Sequence, residues 1–319
     1  MRIPRLVVLA VLFMSALAMA TESIADPNIS LRAGQDGRWE LEYRFQEPIK
    51  GLRFADPAGF MREESWAIET PGYYFGRDGD YQVVVASAKA SPAHSLRVSV
   101  PVDTRSDIGN RELFNVFTDT SIALFTRHFY VSPFDPEAID YERETVVSHL
   151  EIIPKDNQHV IIRGRKSNGP MRWQDPSTQG TYAYTGTLEV ERLHNVAMIM
   201  DPGMPAWLKS IARLSIPALI DIYSERLGRP LQTTPMVLFS YEPGSDIGYH
   251  YNGTVVGELL QLRVKGAAWE QESAHMRIEL TQFIANEVMK LWSGQLAGAD
   301  EEPPAPTVEF SASLRDEMR

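Results

Sequence analysis

The sequence predicts an α+β protein in which strands come first and helices last. Three observations carry this. Apolar and polar residues alternate from residue 36 to about 200, the apolar spacing turns helical after Asp201-Pro202-Gly203, and turn-forming clusters break the early part at short intervals. Trp39-Glu40-Leu41-Glu42-Tyr43-Arg44-Phe45 reads as a half-buried strand, and Tyr81 to Ala86, Ser95 to Val102, His159 to Arg163 and Tyr182 to Val190 repeat the pattern. Pro71-Gly72, Arg77-Asp78-Gly79 and Ser167-Asn168-Gly169-Pro170 punctuate them. Short strands at this spacing imply an antiparallel β-sandwich-like domain, with one short helix expected over Pro136 to Glu142.

Beyond Gly203 the elements are longer. Ala206 to Leu227 places Leu208, Ile211, Ala212, Ile216, Leu219, Ile220, Tyr223 and Leu227 near one helical face. Pro217 is expected to bend or split this helix, and Gly228 to stop it. Met236 to Tyr241 is a short apolar strand, Asn252-Gly253 reads as a turn, and Leu259 to Val264 alternates like an edge strand. Ser273 or Glu272 opens a helix that runs to about Trp292 and ends at Ser293-Gly294. Asp300 to Pro306 is an acidic, proline-rich loop, and Thr307 to Arg319 is compatible with the start of another helix.

The 319 residues suit two domains, and 44% hydrophobic with 23% charged residues is ordinary globular composition. With 31 basic against 42 acidic residues the net charge is −11, so no basic footprint for nucleic acid is present and no such partner is expected. Cysteine is absent, which removes disulfides, thiolate nucleophiles and cysteine-held metals. Arg2 and Arg5, the apolar run Leu6 to Leu17 and the small residues of Ala18-Met19-Ala20 make an export signal cleaved after Ala20. Cleavage would remove 20 of 319 residues and two arginines, leaving 299 residues with 29 basic against 42 acidic side chains, a charge of −13. No other stretch approaches 18 apolar residues, so no stable membrane span is expected after cleavage, and the product is expected to be exported, periplasmic or secreted. The expected organisation is a signal peptide over 1–20, a β-rich domain over 21–200 and a second domain over 201–319.

Most candidate chemistry is ordinary packing. The histidines His94, His128, His149, His159, His194, His250 and His275 form no close pair at metal-ligand spacing. His250 is placed to line a cleft, whereas His275 lies about three helical turns before Asn286, too far to act with it. Trp66, Tyr73, Tyr74 and Phe75 beside Pro71-Gly72 read as a turn packed on the sandwich. Glycine-rich phosphate loops and the nucleophile elbow are absent.

The informative segment is the last helix. Asn286-Glu287-Val288-Met289-Lys290 has the frame of H-E-x-x-H, in which two histidines at i and i+4 hold zinc and the glutamate activates its water. Glu287 keeps its place, while Asn286 and Lys290 stand where the histidines would be. Eighteen residues, 291 to 308, separate Lys290 from Glu309, the spacing of a third glutamate ligand. Phe310-Ser311-Ala312-Ser313-Leu314 follows as a small-and-aromatic run, and Leu291-Trp292-Ser293-Gly294 follows the second ligand position. In these features residues 254 to 314 resemble the gluzincin metallopeptidases, aminopeptidase-N-like and glycyl-aminopeptidase-like enzymes. The resemblance implies a partial thermolysin-like α/β domain over 201–319 behind the family's β domain. It assigns Glu287 the general-base position and Glu309 the third-ligand position, and it implies that the family's helical subdomain is missing.

The two replacements argue against the family's chemistry. An asparagine oxygen is a poor zinc donor, and a lysine with a reference pKa of about 10.4 offers a dication a positive charge and no lone pair. No cofactor is therefore expected, Glu309 stands as a vacant ligand position, and Glu287 is an idle base. Lys290 is expected to place a fixed positive charge between Glu287 and Glu309. Three readings compete at this stage. The first is an exported, inactive gluzincin-like protein, either one that binds a peptide or protein or simply a truncated remnant. The second is an active zinc peptidase with an atypical site. The third is a non-enzymatic β-sandwich binding module.

Overall fold

The computed structural model describes residues 27–293, except 35–36, 58–61, 103–112, 138–148, 176–177 and 245–247. The chain builds four sheets and few helices. The first sheet runs from edge to edge through β14 (Met171–Gln174), β11 (His149–Ile153), β1 (Asn28–Ala33), β2 (Arg38–Ile49), β7 (Ala93–Pro101) and β4 (Ala67–Ile68). The second runs through β10 (Val131–Pro133), β3 (Gly51–Pro57), β6 (Tyr81–Ala86) and β5 (Tyr73–Asp78). The third runs through β13 (Arg165–Ser167), β12 (His159–Ile162), β15 (Tyr182–Gly186), β9 (Ile122–Phe125) and β8 (Phe114–Val116). The fourth runs through β16 (Glu191–Arg192), β17 (Ala197–Met200), β18 (Met236–Glu242), β20 (Leu259–Lys265) and β19 (His250–Val256). The helices are α1 (Arg62–Ser65), α2 (Ala206–Arg226) and α3 (Ala274–Met289).

In β2 the alternation Trp39, Leu41, Tyr43, Phe45 puts four large side chains into one core, as a period-two strand must. The expectation of purely antiparallel pairing fails at one place. β1 pairs in parallel with β11, Asn28 opposite His149 and Leu31 opposite Ile152. The third sheet is buried on both faces: Ile122, Leu124, Val160 and Ile162 join the first core, while Ala123, Phe125, Ile161 and Tyr184 face the fourth sheet. Of the helix expected over Pro136 to Glu142, Pro136 and Glu137 form a turn and the rest lies outside the described residues, as do the segment read as an export signal, Glu309 and residues 300–306.

The fourth sheet positions the candidate site. Val237, Phe239, Leu260, Leu262 and Val264 face α2 and α3, while Met236, Leu238 and Leu259 face the third sheet. Strands β17, β18 and β20 are parallel, and β19 runs antiparallel to β20. The strand expected at the edge, Leu259 to Val264, is therefore internal, and among the described residues β19 is the edge. Asn252-Gly253 lies inside β19, and the hairpin turn falls instead at Gly257-Glu258, where Gly257 has φ +58°.

Helix α2 is not split. Pro217 lacks the N–H that would bond to Arg213, yet the helix continues as one element to Arg226 because Ile216, Leu219, Ile220 and Tyr223 are buried around it. Asn195 Nδ2 donates to the Pro217 carbonyl at 2.9 Å. The helix stops as expected at Gly228, with φ +59°. Its N–H bonds to the Glu225 carbonyl at 3.1 Å, and the next N–H, of Arg229, bonds to Ser224 at 3.1 Å. This double closure needs a left-handed residue, which glycine supplies. Ser273 caps α3 by accepting from Met276 N at 3.2 Å.

Asp201 fastens the fourth sheet to the third. It is fully buried and accepts from Thr118 N at 2.9 Å, Gly203 N at 2.9 Å, Tyr241 N at 3.2 Å and the Thr118 hydroxyl. Removing a buried charged acceptor strands its donors. Asp201→Ala is expected to lower unfolding stability by about 2–4 kcal/mol in urea titrations, and a loss below about 1 kcal/mol would show the four bonds to be idle.

Candidate functional site

The edge strand β19 lies along α3, and their contacts follow both periodicities. Alternate residues Tyr251 and Gly253 meet residues four apart on the helix, Phe283 and Glu287. The Tyr251 and Phe283 rings have centroids 4.7 Å apart. At Gly253 the approach is closer still. A Cβ there would stand 2.5 Å from Glu287 Cγ and 2.6 Å from Glu287 Oε2, distances that no side chain tolerates. A glycine inside a strand often marks such an approach, which was the signal available in the sequence.

Glu287 is 7% exposed. Its Oε1 accepts from Lys290 Nζ at 2.5 Å, three residues on along the same helical face. Its Oε2 is shielded from solvent and has no hydrogen-bond partner among the described residues. Lys290 opens the 3₁₀ turn Lys290–Trp292 that ends the helix, and its side chain is 51% exposed. Asn286 is exposed. The structure thus brings together the expected base position and one degenerate ligand position as an ion pair. It leaves Asn286 at the surface, and Glu309 lies outside the described residues.

Aromatic residues hold the start of β19. Trp269 Nε1 donates to the His250 carbonyl at 3.1 Å, Tyr249 stacks on Tyr251 with centroids 6.4 Å apart, and Tyr249 Oη lies 3.4 Å from His275 Nε2. His275 stays at the first turn of α3, away from Glu287, as its spacing predicts. Burial, and after it the nearby Glu279 carboxylate, raises the Tyr251 hydroxyl above its ordinary pKa. Elsewhere, His128 is buried with Nδ1 2.6 Å from Asp56 Oδ2, and Trp66 stacks on Phe129 within the first core with centroids 5.8 Å apart.

The residues at the ligand positions that the sequence resemblance implies do not suit a zinc ion. Lys290 presents an ammonium already engaged with Glu287, and Asn286 is a neutral amide. Among the described residues no group of three His, Cys, Asp or Glu side chains is placed to hold a metal ion. No helix among the described residues is long and apolar enough to cross a membrane.

Compared with known families and with curated proteins, the sequence matches none. Among solved structures it is similar to leukotriene A4 hydrolase from Saccharomyces cerevisiae, at 12% identity and a TM-score of 0.43, over 85% of this chain and 44% of that one. It is also similar to an M1 zinc metallopeptidase from Deinococcus radiodurans bound to a Tyr-Ser-Ala substrate, at 13% identity and a TM-score of 0.36, over 92% of this chain and 75% of that one. The chain spans less than half the length of the yeast enzyme.

The contact at Gly253 generates a double test. Gly253→Ala forces the edge strand or the carboxylate to shift and is expected to lower stability by about 1–3 kcal/mol, and Glu287→Ala in the same chain is expected to recover most of it. Equal losses with and without Glu287 in denaturant titrations would show that the clash lies elsewhere.

Proposed function

We propose that this protein is an exported gluzincin-like chain that has given up metallopeptidase chemistry and binds an extended peptide or protein segment along β19. The single observation that carries the reading is the Lys290–Glu287 pair, 2.5 Å long. In the family pattern read from the sequence, that lysine stands at a metal-ligand position and that glutamate at the general-base position. A protonated amine there repels a divalent cation, and without a metal-bound water of lowered pKa the carboxylate has no nucleophile to generate.

Binding is supported by what the site retains. Among the described residues β19 has a partner on one side only, β20. Its other edge offers backbone N–H and C=O groups, the substrate of strand addition. Export rests on the leader read from residues 1–20, and the division near residue 200 on the change from period-two to helical spacing.

Purified protein should carry no stoichiometric zinc and show no chelator-sensitive cleavage of a fluorogenic peptide panel. Asn286→His/Lys290→His is expected to raise zinc affinity at least about tenfold over wild type, because it restores two imidazoles four residues apart. One equivalent of tightly held zinc together with chelator-sensitive cleavage by the wild-type chain would establish the active-peptidase reading in its place.

A further inference from the structure

Glu287 has an acceptor that the described residues leave unused. Oε1 is taken by Lys290, and Oε2 is shielded from water without a donor among the described residues. An ionised oxygen in that state is costly unless a donor arrives from outside. Because Gly253 has no Cβ, the Glu287 carboxyl packs into the space a side chain there would fill.

We infer that the bound segment presents a lysine or arginine side chain to Glu287 beside Gly253. This names the ligand chemistry of the site proposed above and rests on that reading. Gly253 is the middle residue of β19, with three strand residues on either side. A segment paired along the edge therefore passes Glu287 with its middle, and a side chain meets the carboxylate rather than a chain end. Cross-strand neighbours on one face stand about 4.5–5.5 Å apart at Cβ, and a glycine leaves its neighbour's side chain room to lean across. Two residues along the same face the Tyr251 ring is 45% exposed, a surface that favours a cation. Among the described residues Glu279 and Glu287 stand against Lys290 beside this strip, an acidic excess in a chain of net charge −11. Together these select a cationic N–H donor over a neutral or acidic one.

The test uses the full chain and three nine-residue alanine-based peptides, followed by fluorescence anisotropy. One is capped at both ends with a central lysine, one is its norleucine twin, and one is the norleucine peptide with a free amino terminus. The capped lysine peptide is expected to bind about tenfold tighter than its capped twin, a margin erased by Glu287→Gln and widened by Lys290→Met, which frees Oε1. Melting curves identify any variant that fails to fold, and the wild-type comparison stands without the variants. Equal binding of all three peptides overturns the inference and leaves peptide binding intact. A preference confined to the free amino terminus overturns the side-chain assignment. Binding of none of them overturns the edge-strand reading itself, and the inference with it.

Discussion

The site depends on a carboxylate that is almost entirely out of water. Such a group is unfavourable unless its charge is answered. Lys290 answers it on one side by reaching back one helical turn, and its own half-exposed ammonium keeps part of its hydration. On the other side the answer is steric. Gly253 removes the one atom that would bar the carboxyl from the strand, so β19 closes down on α3. The Tyr251–Phe283 contact then seals the strip one step along.

If, as we propose, a lysine stands here in place of a metal, it changes what the site can respond to. A zinc centre has an occupancy set by metal supply, pH and chelators, because its ligands must be deprotonated and its ion can leave. An ammonium on the same helix is covalently fixed, carries one charge rather than two, and offers no open coordination position. On that proposal the pair is permanent scaffolding, and selectivity has to come from shape, the strand edge and residual charge.

Much of this was legible in the sequence, and the exceptions have physical causes. The limits of α2 and α3 followed from Gly228 and Ser273, since left-handed geometry and a hydroxyl cap are local requirements. The Glu287–Lys290 contact followed from i,i+3 spacing on a helix. What failed was long-range placement. Leu259 to Val264 alternates like an exposed edge, but its polar members are buried, Gln261 at 3% and Arg263 at 8% exposure, with Arg263 paired to Glu242. Buried polar partners imitate an outward face. Asn252-Gly253 resembled a turn because that pair usually is one, whereas here the glycine answers to a helix 34 residues further on. The parallel pairing of β1 with β11 joins segments too far apart for any local pattern to announce.

The central claim is that Lys290 and Glu287 act as one unit. A double-mutant cycle of Glu287→Gln, Lys290→Met and the pair, measured by urea unfolding at neutral pH, tests it directly. A coupling of about 1–2 kcal/mol is expected for a pair with one buried and one half-exposed member. Additivity within about 0.3 kcal/mol would mean that the two side chains are merely neighbours, and the account of the site would not stand.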